Sequence, residues 1–463
     1  MRTPSGSPAS CAASGRSIDR EVIRLALPSL GALLAPPLFL LADAVIVGRL
    51  GPAPLAGLGL AGAVITTVTG LSIFLAYGTT GAVARLLGAG DVAAAVRHGV
   101  SAMWLALGIG VAAAVLGWTV TTPVLAVFGA PADATEQAET YLRVGWWGVP
   151  ALLVSLASTG VLRGLQDTRT PLLVAAAGAL GNVVLNLVLV LGLGMGIAGA
   201  AVGTVVSEVA MAVALCLVVA RGARARGVGL RPYGSDVTSS WRTGWPLLVR
   251  TAAMRVALLA ATAAAARLGT TGLAAFNVAF VVWGLLALAL DALAIAAQAL
   301  VGRYLGGGDP DSVRTLTTRL VRWGVLGGAV LGLTTAALAV PIAPLFTDDA
   351  DVARLLLVAL LVVAVLQPLA GWVFVLDGIL IGAGDGRFLA LAAIGATVAF
   401  LPLAMLAVQA SSWGDAAGMV ALWSAIGGWM LARLATLAPR AWSPRWIVTG
   451  SSRSATRAPR PRR

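Results

Sequence analysis

Lysine is absent, so all 32 basic side chains are arginine. Charge of either sign is scarce, at 11% of 463 residues against roughly 25% in a soluble domain. A water-exposed fold could not cover its surface with so few charges, which excludes an ordinary soluble enzyme and a disordered chain. The two cysteines, Cys11 and Cys216, make neither a disulfide framework nor a metal-ligand spacing. Cys11 follows Pro-Ala-Ser, as at a lipoprotein cleavage site, but no apolar run precedes it, and the N-terminal stretch is too polar for a cleaved signal peptide. No Walker motif, metal-ligand cluster or nucleophile elbow occurs, so neither ATP-driven pumping nor an enzymatic reaction is expected and no cofactor is called for. The Gly-rich run Leu191 to Gly196 lacks the strand and helix setting of a phosphate loop.

Apolar sequence is what the chain has instead: 59% of it is hydrophobic. A membrane span takes about 20 apolar residues. Runs of that length lie at 21–49, 53–79, 93–119, 137–163, 171–191, 197–221, 242–267, 271–298, 314–340, 350–381, 388–408 and 416–437. The expected fold class is an all-α polytopic membrane protein with twelve transmembrane helices. Its expected divisions are an N-terminal segment 1–20, an N-lobe 21–221, a linker 222–241, a C-lobe 242–437 and a basic tail 438–463. Arginines such as Arg20, Arg24, Arg85, Arg97, Arg163, Arg169, Arg303, Arg314 and Arg387 fall at alternate loops, and Asp348, Asp349 and Asp351 on the other side. Positive charge marks the cytoplasmic face, which puts both termini inside and the protein in the plasma (inner) membrane. Seven arginines and no acid in the tail suit anionic lipid headgroups as partners rather than nucleic acid.

The chain repeats itself. A shift of 218 residues superposes Leu87-Gly88-Ala89-Gly90-Asp91 on Leu305-Gly306-Gly307-Gly308-Asp309, Arg85 on Arg303, and Gly164, Asp167 and Arg169 on Gly382, Asp385 and Arg387. Each copy holds six spans, an even number, so the copies enter the membrane in the same sense. The expected architecture is two six-helix lobes related by a parallel pseudo-two-fold axis, with a substrate path between them, as in secondary transporters.

Function is sought where the copies differ. Asp43 maps to Ala261, Asn182 and Asn186 to Phe400 and Ala404, and Thr204 and Glu208 to Leu422 and Ile426. Counted from the span ends at 1.5 Å per residue, Asp43, Asn186 and Thr204 fall at about the same depth, and Asn182 and Asn186 share a face. A carboxylate among amides and a hydroxyl suits a proton or a small hard cation, and an intramembrane acid is costly to keep for packing alone. Glu208 lies one turn from Thr204. Pro36 and Pro37 interrupt the hydrogen bonds of the first span and can serve as a hinge or a static kink.

In the C-lobe, Arg250 and Asp291 fall at equal depth and are expected to pair, with Asp377 as a further acid and Arg255 nearby. Arg85 with Asp91, and Arg303 with Asp309, are expected to fix loops. His98, the only histidine, is expected near the membrane surface in contact with solvent. Most tryptophans suit interfacial anchoring, while Trp146, Trp147 and Trp283 are candidates to line a path for flat cations.

Four stretches carry a family resemblance: Leu41-Ala-Asp-Ala-Val-Ile-Val-Gly-Arg-Leu-Gly51, Ala84-Arg-Leu-Leu-Gly-Ala-Gly-Asp91, Leu162-Arg-Gly-Leu-Gln-Asp-Thr-Arg-Thr-Pro171 and Gly196-Ile-Ala-Gly-Ala-Ala-Val-Gly-Thr204. Together they resemble the multidrug and toxic compound extrusion (MATE) transporters. The Arg-Gly-Leu-Gln-Asp-Thr segment, with Asp377-Gly378, is similar to the DinF-like branch. The resemblance implies an efflux antiporter exchanging H⁺ or Na⁺ for small organic, often cationic, substrates. It carries the family's first-lobe cation site over to Asp43, Asn182 and Thr204. Many members have a second acid where this chain has Asn186, a departure that weakens a full Na⁺ cage at Asp43 and favours H⁺, with Glu208 as a candidate for the missing acid. The chain is expected to act as a monomer. A flippase for a lipid-linked or polysaccharide precursor is the alternative within transport; a non-transporting scaffold lies outside it.

The arginine distribution is directly testable. Reporters fused after Arg169, Arg231 or Arg387 should read cytoplasmic, and those near Pro131 or Asp348 external; reversal at two of these sites would refute the twelve-span topology.

Overall fold

The computed structural model describes residues 15–451. Cys11 and the arginines beyond Ser451 lie outside the described residues. Lipid offers no hydrogen-bond partners, so an apolar chain satisfies its backbone internally. Twelve helices long and apolar enough to cross a membrane result, and no strand occurs among the described residues. The N-lobe consists of α1 (Gly15–Gly48), α2 (Pro52–Gly88), α3 (Val92–Ala126), α4 (Ala132–Gly164), α5 (Arg169–Gly192) and α6 (Gly196–Arg224). The C-lobe consists of α7 (Gly234–Ala266), α8 (Gly269–Gly306), α9 (Pro310–Phe346), α10 (Ala350–Gly382), α11 (Gly386–Trp413) and α12 (Asp415–Trp442).

Most helices extend past the apolar runs, and two of the extensions reshape the segments that join or follow them. α7 begins at Gly234 rather than 242, because Asp236 in its first turn suits the positive end of the helix and pairs with Arg97 of α3 at 3.0 Å. The connection between lobes is therefore shorter than 222–241. α12 runs on to Trp442, and the described residues after it, 443–451, pack on the protein. Trp446 is fully buried and donates to the Ala441 carbonyl at 2.7 Å, and the Gly450 amide donates to the Leu305 carbonyl at 3.0 Å.

The repeat is visible as reciprocal contact. Gly88 of α2 lies against the Arg303 carbonyl of α8, and its repeat mate Gly306 lies against the Arg85 carbonyl. The same exchange is built inside each lobe: Gly160 meets Ala76 in the first, and Gly378 meets Ala294 in the second. Without a hydrophobic driving force inside lipid, helices associate by close van der Waals contact, which small residues permit.

Polar bonds between lobes gather at the arginine-rich end. Arg303 pairs with Glu21 at 3.0 Å and Arg319 with Asp19 at 2.9 Å; Trp323 also donates to Asp19 at 2.9 Å. Arg85 donates to the Ala383 carbonyl and Gln166 to the Ala299 carbonyl. Asp91 and Asp309 instead cap α3 and α9, accepting from the Ala94 and Ser312 amides at 2.8 and 2.9 Å. Arg303 thus serves the lobe interface rather than Asp309, since a helix N-terminus already claims that carboxylate.

Because the Gly88 and Gly306 contacts are reciprocal, Gly88→Leu and Gly306→Leu should lower the melting temperature by similar amounts, corresponding to about 1–3 kcal/mol each. Thermal unfolding in detergent checks this, and a several-fold inequality would contradict the symmetric contact.

Candidate functional site

Four N-lobe helices converge on one buried polar cluster. Asp43 of α1 and Asn182 and Asn186 of α5 are each 0% exposed. The Asn186 amide donates to Asp43 Oδ1 at 2.5 Å and to Asn182 Oδ1 at 3.3 Å, one helical turn away. The Asn182 amide and the Tyr141 hydroxyl of α4 each donate to Thr204 Oγ1 of α6 at 3.3 Å. A bonded chain therefore runs Asp43, Asn186, Asn182, Thr204, Tyr141.

Irregular backbone flanks this cluster. After Asn186 the helix widens into a π-turn over Leu187–Gly192, and α4 tightens into a 3₁₀ turn over Trp146–Gly148. π-turns inside α-helices often mark functional positions. The repeat-related stretches 364–366 and 405–410 are plain α-helix. Gly203 on α6 leaves room for Asn186, since a Cβ there would meet the Asn186 Oδ1 oxygen.

Two buried acceptors in the cluster, Asp43 Oδ2 and Asn186 Oδ1, have no hydrogen-bond partner. No arginine bonds to Asp43 among the described residues. A buried carboxylate without a cation beside it is costly unless a proton or a bound cation cancels its charge. Glu208 stands one turn from Thr204 towards the arginine-rich end, half-buried, its carboxylate against Gly148. It makes no hydrogen bond among the described residues, but Tyr141 is within electrostatic range of both Glu208 and Asp43. The hinge candidates Pro36 and Pro37 lie inside α1, which continues as helix through both; their missing N–H groups leave the Ala32 and Leu33 carbonyls without intrahelical donors.

The C-lobe acids are arranged differently from expectation. Arg250 pairs with Asp377 of α10 at 2.7 Å, not with Asp291. Arg433 of α12 bonds the same Asp377 oxygen. Asp291 accepts from the Tyr77 hydroxyl of α2, across the lobe interface, at 2.8 Å. The expected depth of Arg250 was counted from the apolar start of the span, whereas α7 begins eight residues earlier; equal depth also says nothing of direction around the helix axis.

His98 is 7% exposed, with Ser240 Oγ 3.3 Å from its Nε2, so it is not solvated. Trp146 is buried and donates to Thr121 at 2.9 Å, Trp283 packs on Trp423 in the C-lobe core, and Trp147 points outward. The first two fill volume and satisfy a donor rather than line a path.

The sequence of MatE-family proteins matches this chain twice, over residues 28–188 and 246–406, each end of the second match 218 residues after that of the first. This chain belongs to the MatE family. Relatives within it include protein DETOXIFICATION 44, chloroplastic, of Arabidopsis thaliana, 32% identical over 90% of this chain and 81% of that one. DNA damage-inducible protein F of Escherichia coli K12 is 28% identical over 94% of both chains. A transporter of the MOP superfamily from Pyrococcus furiosus shares the fold with a TM-score of 0.83, at 24% identity over 93% of this chain and 96% of that one. As a MatE protein this chain is a multi-pass membrane transporter of the multidrug and toxic compound efflux type, not an enzyme. Transporters of the family move small organic compounds by ion coupling.

The bonded chain orders the cost of its own disruption. Tyr141→Phe removes one hydroxyl donor from half-buried Thr204 and should cost about 0.5–1.5 kcal/mol. Asn186→Ala leaves Asp43 Oδ1 without its donor and should cost more, about 1–3 kcal/mol. Paired thermal melts test the order.

Proposed function

We propose that this protein exports organic, chiefly cationic, compounds in exchange for protons by alternating access. The observation that carries the reading is Asp43: fully buried, one oxygen bonded to Asn186, and among the described residues no partner on the other oxygen and no arginine bonded to it. One proton neutralises such a group completely. Na⁺ would need a cage of oxygens, and among the described residues the cluster leaves two buried acceptors open, Asp43 Oδ2 and Asn186 Oδ1.

Coupling then follows from competition. Ionised Asp43 attracts a cationic substrate into the N-lobe; protonation cancels that attraction and favours release. A ligand shifts the balance between two conformations only by its differential affinity for them, and a single carboxylate that binds either proton or cation supplies that difference. Bending of α1 at Pro36 and Pro37, on the arginine-rich side of Asp43, would transmit the change. Glu208, one turn deeper than Thr204 and with no hydrogen-bond partner among the described residues, would share proton duty.

The arginine-rich face is taken as cytoplasmic, with both termini there and the chain in the plasma membrane as a monomer. On that orientation the lobe contacts through Glu21, Asp19, Gly88 and Gly306 lie on the inner side.

Proteoliposomes with imposed gradients provide the test. Wild type should drive uphill dye export with a proton gradient. Asp43→Asn should insert and fold but lose gradient-driven export, Glu208→Gln should weaken coupling without lowering the melting temperature, and Ala261→Ser should behave as wild type. Uphill export by Asp43→Asn at near wild-type rate would remove the N-lobe cluster from the coupling mechanism.

A further inference from the structure

The C-lobe holds an electrostatic imbalance opposite to that of Asp43. Arg250, Asp377 and Arg433, on α7, α10 and α12, are 8%, 5% and 3% exposed. Both arginines bond the same oxygen of Asp377. Next to them, Asp291 accepts from Tyr77 and lies within electrostatic range of Arg163, itself buried, and of Arg250 and Asp377. Among the described residues, Arg433, Arg250 and Arg163 thus share Asp377 and Asp291, three guanidiniums to two carboxylates, which leaves one positive charge in excess.

An unpaired buried ion costs several kcal/mol. A carboxylate in that position takes up a proton, but arginine does not give one up in proteins. A bound anion would supply the missing counter-charge.

The donors point the same way. Arg250 makes its protein hydrogen bond through Nη2 alone among the described residues, of five N–H groups that a guanidinium carries. Arg433 uses Nη2 for Asp377 and Nη1 for a weak contact to Met430 Sδ at 3.6 Å. Its guanidinium carbon lies 5.3 Å from the ring centroid of Trp429, a side chain 2% exposed whose indole N–H has no acceptor. The orphaned polar atom here is a donor, the Trp429 indole N–H, whereas those beside Asp43 are acceptors. Nor is the cluster a relic of the repeat: Arg250, Asp377 and Arg433 map to Ala32, Thr159 and Leu215.

We propose that Arg250, Arg433 and Trp429 form a binding site for a small anionic group, with Asp377 holding the two guanidiniums in place. An inorganic halide and the carboxylate of an organic substrate present the same chemistry to it. The site stands apart from the Asp43 cluster and does not rest on proton coupling there.

Thermal unfolding of the full chain in detergent, at constant ionic strength, tests this with chloride and with benzoate, each against the bulky sulfonate isethionate. Wild type should be stabilised saturably by at least one of the two. A response to chloride alone assigns an inorganic anion; a response to benzoate that chloride competes away assigns a substrate carboxylate. Arg433→Gln should weaken the apparent affinity about tenfold or more, as expected for loss of a charge-assisted partner. Asp377→Asn removes the competing carboxylate, so it should melt lower in isethionate, be rescued by the anion, and bind it more tightly than wild type. A merely structural ion pair gives the first of these effects without the rescue. Absence of saturable stabilisation by either anion, in both wild type and Asp377→Asn, would overturn the proposal, and would leave the Asp43 experiment unaffected.

Discussion

Apolar surroundings forbid an uncompensated charge, and this constraint orders the molecule from its ends to its centre. At the arginine-rich end charges are paired across the lobes, Arg303 with Glu21 and Arg319 with Asp19. Deeper in, pairing is incomplete. Asp43 has amides in place of a cation, and the C-lobe arginines have one carboxylate between them. Imbalances of this kind are expensive to maintain in a membrane and are expected where ions or substrates bind.

The two lobes express one architecture with opposite chemistry. Where α1, α4, α5 and α6 place Asp43, Tyr141, Asn182, Asn186 and Thr204, the C-lobe places Ala261, Ala359, Phe400, Ala404 and Leu422, all buried and close-packed. Phe400 packs at a tilt beside Trp429, and Trp423 beside Phe276 and Trp283, filling with rings the volume that the N-lobe gives to polar groups. The packed C-lobe suits a rigid body. The N-lobe, with a π-turn, a 3₁₀ turn and prolines around its cluster, has the backbone in which small changes of charge can be turned into movement.

Much of the N-lobe cluster was legible in the chain because duplication supplies a control: a polar residue whose repeat mate is apolar is not required by the scaffold. That test singled out Asp43, Asn182, Asn186 and Thr204, which meet in space. Tyr141 passes the same test, since it maps to Ala359, but a tyrosine near the end of a span reads as an interfacial anchor and was missed. Arg433, Tyr77 and Arg163 were missed for another reason. Their partners sit on helices distant in sequence, and depth along a span fixes one coordinate of three. Arg250 shows the consequence, since it shares a depth with Asp291 by residue counting yet bonds Asp377.

The sequence by itself determined the class of fold, the twelve helices, the duplication and its orientation, because these follow from apolar run length, arginine placement and a fixed offset, all of them one-dimensional quantities. It also determined which lobe kept a lone acid. Only the tertiary structure decided that Asn186 donates to Asp43, that two arginines share Asp377, that His98 is buried, and that the helix ends extend past the apolar runs. Those outcomes depend on the rotation of each helix about its axis and on which neighbour it meets. Packing of small residues such as Gly88, Gly203 and Gly306 against facing helices sets both, and no periodicity within a single helix encodes the partner.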